Sequence, residues 1–261
     1  MNTILESKIP DVAATPKRSP VRFAVGSVFA IISWPLAVLF VMLISAGSWI
    51  FLGREERQKL GQNTLSLVLG IFMNCVEGLG IIAVSDDELK QHAGMPGPLI
   101  IACNHPTLWD ALFIIRRVRR VSCIMKTDVQ LNPLLGTGAR FAGFIPNVPR
   151  LKMIREAVKR LDSGGRLLLF PEGTRTREEN GVINEFRPGL ALLAKQSGAP
   201  VLPVFITSNS KYLQKGWPIW RMPDLPITIS LRVGKVEKIR PDERVRDFSE
   251  RLEALFREEL G

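Results

Sequence analysis

The sequence predicts an α/β domain built on a mainly parallel, mixed sheet flanked by helices, carried behind an N-terminal hydrophobic helical membrane anchor. Three observations predict it. Short apolar runs of strand length recur from Pro98 onward, helical patterns separate them, and an uncharged stretch too long for an ordinary core helix precedes both.

The uncharged stretch runs from Phe23 to Gly53. As a straight helix it would be about 46 Å long at roughly 1.5 Å per residue, against a hydrocarbon core of ~30 Å. Such a run meets a membrane. A secretory signal fits less well, since its apolar region is normally ~7 to 15 residues long. Lys17, Arg18 and Arg22 precede the run and Arg54, Arg57 and Lys59 follow it, so the positive-inside rule picks no orientation. Pro35 offers a break, and a re-entrant hairpin bent there, with both basic flanks on the cytoplasmic side, is expected over a single span. A second uncharged stretch, Gly61 to Val76, either lies along the interface or packs on the first. The chain thus divides into a polar tail over residues 1–22, with Pro10, Pro16 and Pro20, an anchoring region over 23–79 and the α/β domain over 80–261.

With 261 residues, 46% of them hydrophobic, the chain can bury one sizeable core. Its strand-like runs are Pro98 to Cys103, Val121 to Met125, Arg166 to Phe170 and Val201 to Ile206. Leu151, Ile154, Ala157, Val158 and Leu161 recur at helical spacing and are closed by Gly164 and Gly165, where a C-terminal cap belongs. Val245, Phe248, Leu252, Leu255 and Phe256 predict a last amphipathic helix with its apolar face on the core. Cys75, Cys103 and Cys123 sit in apolar settings without a Cys-x-x-Cys spacing, which predicts buried thiols, no disulfide and no zinc. Lys and Arg outnumber Asp and Glu by 35 to 25, which favours anionic partners.

The chemistry concentrates in "CNHPTLWD", Cys103 to Asp110, which holds one of only two histidines. Pro106 suits the first position of a helix, so Asn104 or His105 is expected as its N-cap, on the strand-to-helix turn where open α/β sheets bind ligands. Either Asn104 caps that helix and His105 and Asp110 are incidental neighbours, or the aspartate reaches back to the ring. In the second case one ring nitrogen is held by Asp110 and the other is free to accept a proton from an alcohol attacking an acyl carbonyl. A thiol leaving group, with a pKa of about 8.5, then departs without a dedicated strong acid. The second element is "FPEGTRTR", Phe170 to Arg177, where a turn at Gly173 lets backbone N–H groups and Arg175 face one anion.

Together these stretches resemble the lysophospholipid acyltransferases, the family that includes 1-acylglycerol-3-phosphate acyltransferases. The likeness covers about Pro98 to Ser208 as four motifs in order. "NHPTLWD" resembles the first, which implies that His105 is the general base and Asp110 its orienting partner. Lys126 with "NPLLG", Asn132 to Gly136, resembles the second, implying that Lys126 helps bind the acceptor's phosphate. "FPEGTR" resembles the third, implying acceptor binding through Glu172, Gly173, Thr174 and Arg175; "VLPVFI", Val201 to Ile206, resembles the fourth. One departure touches the headgroup. Where the family often has an arginine after the second motif, "GFIPNVPR" has Pro146 and Asn147, so that either Arg150 substitutes or the acceptor is another lysolipid, such as an amino-acid lipid.

The resemblance implies transfer of a fatty acyl chain from acyl-CoA or acyl carrier protein to a lysolipid hydroxyl, at the cytoplasmic face of a membrane, with no metal and no cofactor. A serine hydrolase is disfavoured by the lack of Gly-x-Ser-x-Gly, a nucleotide binder by the lack of a phosphate-binding glycine loop, and a nucleic-acid partner by a single tyrosine. The non-enzyme rival is a lipid-binding membrane protein of the same fold. "RRVRR", Arg116 to Arg120, either caps a helix in solvent or presses on anionic lipid, Trp217 and Trp220 either sit at the interface or pack, and His92 is expected in a solvated loop.

Overall fold

The computed structural model describes residues 17–218 and 220–261. The expected polar tail lies mostly outside them, and its last part is not free: Lys17 and Leu225 exchange two backbone hydrogen bonds at 2.9 and 3.0 Å. Helix α1, Pro20–Phe51, then begins three residues before the expected anchor.

α1 corrects the expected break. It runs unbroken through Pro35, because proline's fixed φ is itself helical and costs the helix one hydrogen bond, while the neighbouring Trp34 ring packs edge-on against Phe72 at 5.5 Å. The chain reverses instead at Leu52 and Gly53, and helix α2, Arg54–Gly78, returns along α1. α2 belongs to the core. Leu69, Phe72, Met73 and Val76 are buried in the larger apolar cluster, and the Gln62 amide donates to Ser122 Oγ and to the Ala142 carbonyl, both at 3.1 Å. Gly61 is required by that docking, since a Cβ there would lie 2.4 Å from the Phe141 carbonyl oxygen.

Seven strands follow: β1 Ile82–Ser85, β2 Leu99–Cys103, β3 Val121–Met125, β4 Ile145–Pro146, β5 Arg166–Leu169, β6 Val201–Ser208 and β7 Ile227–Val233. They lie in the order β1-β7-β6-β2-β5-β3-β4, every neighbouring pair parallel except β6 with β7. β2 is central and buried throughout, which is why it reads as a continuous apolar run. Its residues alternate between two cores. Ile101 and Cys103 face the cluster with α2 and α4, whereas Ile100 and Ala102 face the one with α7, α8 and α9.

The helices between strands are α3 Asp87–His92, α4 Asp110–Arg117, α5 Thr127–Leu131, α6 Pro133–Phe141, α7 Arg150–Asp162 and α8 Gly189–Ser197, and α9 Val245–Leu260 follows the last strand. His92 is not in a loop: it ends α3, with Nδ1 2.8 Å from the Glu88 carbonyl oxygen. "RRVRR" divides. Arg116 is buried against Glu77 at 2.9 Å and Asp86 at 2.8 Å, Arg117 also pairs with Asp86, and only Arg119 and Arg120 are exposed. Cys103 and Cys123 are buried as expected, but Cys75 is exposed, because it falls on the outer side of α2. Trp220 is exposed, while Trp217 donates from Nε1 to the Arg221 carbonyl at 3.1 Å.

Candidate active site

β2 ends at Cys103, and the next two residues take different duties. Asn104 caps no helix. Its amide spans to β6, donating to the Ile206 carbonyl at 2.8 Å and accepting from the Ile206 N–H at 2.7 Å, which fixes the strand end. The following helix starts at Asp110, not at Pro106, because residues 105–109 form a turn held by that aspartate. Asp110 is fully buried. Oδ2 accepts from the Thr107 N–H at 2.8 Å and lies 2.8 Å from His105 Nδ1, while Oδ1 accepts from Thr107 Oγ1 at 2.6 Å. The aspartate does reach back.

A second carboxylate joins the two motifs. Glu172 Oε1 accepts from the His105 N–H at 2.8 Å and from Thr176 Oγ1 at 2.9 Å, and Oε2 accepts from the Asn184 N–H at 2.8 Å. The Thr176 N–H donates in turn to the His105 carbonyl at 2.7 Å. Glu172 therefore departs from the expected role as an acceptor ligand. It is buried, its oxygens are occupied inside the protein, and it braces the histidine turn. The His105 ring is also stacked on Phe170, with centroids 4.0 Å apart. Burial pushes both carboxyls above their ordinary values, opposed at Asp110 by the His105 and Thr107 hydrogen bonds and at Glu172 by the Asn184 and His105 N–H groups.

The free side of His105 opens on a cavity of about 830 Å³. Its depth is apolar, walled by Trp34 and Val41 of α1, Leu69 and Phe72 of α2, and Trp109 and Leu112. Charge is confined to one part of the lining: Lys126 at the start of α5, Arg175 and Lys215. Gly173 and Thr174 line the same part, with Gly173 at φ +67°, a backbone conformation suited to glycine. Arg175 does more than face the cavity. Its Nη1 donates to the Leu213 carbonyl at 2.9 Å, a carbonyl that also accepts from the Leu108 N–H at 3.2 Å, so the segment carrying Lys215 is tied to both motifs.

Lys215 had no signal in "KYLQKGW"; only the return of the β6–β7 connection over the strand ends brings it to the cleft. Partial desolvation, with repulsion from Arg177, Lys126 and Arg175, lowers its ammonium below the ordinary lysine value. Asn147 lines the cavity where an arginine was expected, and its Oδ1 accepts from the Thr127 N–H at 3.3 Å. Arg150 is exposed in the first turn of α7 and is not among the described residues lining the cavity.

The α/β sheet thus presents a histidine–aspartate pair beside a basic rim and an apolar cavity. Residues 81–207 match the family model described as Acyltransferase. Among curated proteins it is 24% identical to the chloroplastic 1-acyl-sn-glycerol-3-phosphate acyltransferase BAT2 of Brassica napus, covering 69% of this chain and 52% of that protein. It is 25% identical to the 1-acyl-sn-glycerol-3-phosphate acyltransferase of Pseudomonas aeruginosa, covering 52% and 53%. The chain thus spans about half the length of these relatives. Its fold matches the crystal structure of the Thermotoga maritima 1-acyl-sn-glycerophosphate acyltransferase PlsC, with a TM-score of 0.67, 20% identity and 92% of each chain covered.

The raised Asp110 carboxyl has a consequence for stability. A group whose folded pKa lies above its unfolded value contributes stability that is present below the unfolded pKa and lost as pH rises through the folded one. A neutral asparagine at the same position would carry no such loss. In thermal unfolding scans, the Tm of Asp110→Asn relative to the parent should therefore shift in the variant's favour between about pH 4 and about pH 7. A flat or opposite trend would mean that burial does not dominate the Asp110 environment.

Proposed function

We propose that this chain is a membrane-bound acyltransferase that moves a fatty acyl chain from an acyl thioester to the hydroxyl of a lysophospholipid of the 1-acylglycerol-3-phosphate type. The observation that carries the reading is the His105 Nδ1–Asp110 contact of 2.8 Å, on a cavity that is apolar in depth and cationic beside the histidine. The names of the relatives support the same substrate class.

Asp110 holds the Nδ1 proton, so Nε2 is the free base. It takes the proton from the acceptor hydroxyl as that oxygen attacks the thioester carbonyl, and the resulting imidazolium is stabilised by the Asp110 carboxylate. Collapse of the tetrahedral intermediate breaks the C–S bond, and the imidazolium proton goes to the departing sulfur. Acyl-CoA and acyl carrier protein both supply such a thioester. A phosphomonoester carries about −1.5 to −2 charges near pH 7, a load suited to Lys126, Arg175 and Lys215 together. Lys215 then provides the charge that Asn147 does not, which favours a phosphate headgroup over a neutral one.

The anchor serves delivery. Ile32, Leu36, Leu43 and Phe51 of α1 are more than half exposed on its outer side, while Trp34 and Val41 face the cavity, so one helix lies against lipid and against the acyl site at once. Of the expected anchoring region over residues 23–79, α1 is the part that anchors, since α2 is packed into the core of the α/β domain, and the cleft lies on the cytoplasmic face.

Two measurements test this reading. With lysophosphatidic acid as acceptor, purified His105→Ala protein should lose about 10² to 10⁴ in turnover. Lys126→Ala and Lys215→Ala should chiefly raise the acceptor KM at saturating donor. Undiminished turnover in the histidine variant removes the mechanism, and unchanged KM values in both lysine variants point to a headgroup without phosphate. Separately, full-length protein in isolated membranes should resist a high-salt wash and require detergent, because salt screens exposed charges but not buried apolar surface. Release by salt alone would exclude insertion of α1.

A further inference from the structure

A second cavity, of about 540 Å³, opens at the other end of the sheet. It lies where β2, β3 and β5 begin, separated from His105 by the length of β2, roughly 15 Å at ~3.3 Å per residue. Six cations line it: Lys59 from α2, Arg117, Arg119 and Arg120 from the α4–β3 connection, Arg160 from α7 and Arg166 from β5. No carboxylate lines it among the described residues.

Internal pairing neutralises only part of this charge. Arg117 is paired with Asp86, and Lys59 reaches Glu56 at 3.5 Å on the surface. The other four guanidinium groups form no ion pair with a carboxylate among the described residues. Arg160 donates to the neutral Gln58 Oε1 at 2.6 Å, and Arg166 donates to the carbonyl of Ala93 and, at 2.6 Å, to that of Met95. The Arg119 and Arg120 side chains show no hydrogen bond or ion pair with a described residue, and Arg120 is held at φ 56°, a conformation unfavourable for a non-glycine residue. Burial holds both guanidinium groups below their ordinary range; Arg120 adds repulsion at Arg166, while at Arg160 the attraction of Glu156 and Glu55 opposes burial and Arg54 reinforces it. The cations thus repel one another around open space. A Cβ placed on Gly94, Gly97 or Gly164 at the same cavity would meet no atom within 4 Å.

A concave wall of one sign focuses the field within it and concentrates counter-ions. Guanidinium forks match phosphate oxygens through two parallel N–H···O bonds. We propose that this cavity is a second anion site, separate from the catalytic cleft, that takes the phosphate group of a lipid headgroup or of a soluble organic phosphate. Its volume falls within the ~300 to 1,000 Å³ of small-molecule sites, room for a phosphate carried on a larger group. Bound there, the phosphate bridges α2 to the ends of three strands and relieves the repulsion between Arg120 and Arg166.

Arginine labelling tests the site without recourse to turnover. Full-length protein is treated with phenylglyoxal, and modification of Arg119 and Arg120 is followed by peptide mass spectrometry, with Arg246 of α9 as internal reference. One arm adds inorganic pyrophosphate to protein in detergent; two others use protein reconstituted in phosphatidylcholine vesicles with and without phosphatidic acid. Relative to Arg246, labelling at Arg119 and Arg120 should slow by about tenfold, the scale of one charge-assisted hydrogen bond. Lys59→Gln should weaken that protection. Protection by pyrophosphate alone identifies a soluble phosphate, and protection by phosphatidic acid alone identifies a lipid headgroup. The proposal is overturned if neither protects, or if pyrophosphate fails and neutral vesicles protect as well as anionic ones.

Discussion

One buried carboxylate organises the cleft. Asp110 is excluded from solvent, and an ionised group there is tolerable only because Thr107 N–H, Thr107 Oγ1 and His105 Nδ1 occupy its oxygens. The same contacts close the turn from His105 to Trp109 and set the first residue of α4. The His105 N–H is directed to Glu172, which carries the order on to Thr176 and Asn184. Two stretches distant in sequence thus become one rigid floor, with the 67-residue separation of His105 and Glu172 bridged by a single 2.8 Å bond. Beside that floor the Asn104 amide locks the ends of β2 and β6 together.

The cavity brings an apolar and a cationic environment together over a short distance. Trp34, Val41, Leu69 and Phe72 come from the α1–α2 helical pair, whereas Lys126, Arg175 and Lys215 come from connections at the strand ends. Arg175 links them, because the carbonyl it holds at Leu213 fixes the segment bearing Lys215. α1 forms one wall of the cavity, its inner residues packed and its outer ones exposed.

The sheet was legible in the sequence wherever burial is complete. "LIIAC", "VSCIM" and "RLLL" are short and apolar because both faces of each strand are covered, and their bounds came within one residue. β1 and β7 escaped notice: β1 is only partly buried and β7 alternates, which weakens the apolar signal. The histidine–aspartate pair was legible as a possibility, but Pro106 suggested a helix start that Thr107 and Asp110 override with a side-chain-held turn. Pro35 misled in the same way, since local propensity suggested a break and tertiary packing on Phe72 decided against it. Glu172 and Lys215 could not be placed from spacing at all. The inward turn of one and the cleft position of the other depend on contacts across the fold, with Asn184 and Leu213.

The most direct test lies in the protonation of one ring. The chain has two histidines, so a His92→Gln variant labelled with ¹⁵N-histidine gives a single imidazole to observe in detergent-solubilised full-length protein at neutral pH. Asp110 accepting from Nδ1 requires the neutral ring to carry its proton there, leaving Nε2 bare toward the cavity, and introducing Asp110→Asn should abolish that preference. A neutral ring protonated at Nε2, or a tautomer indifferent to the asparagine, would contradict the arrangement on which the proposed chemistry rests.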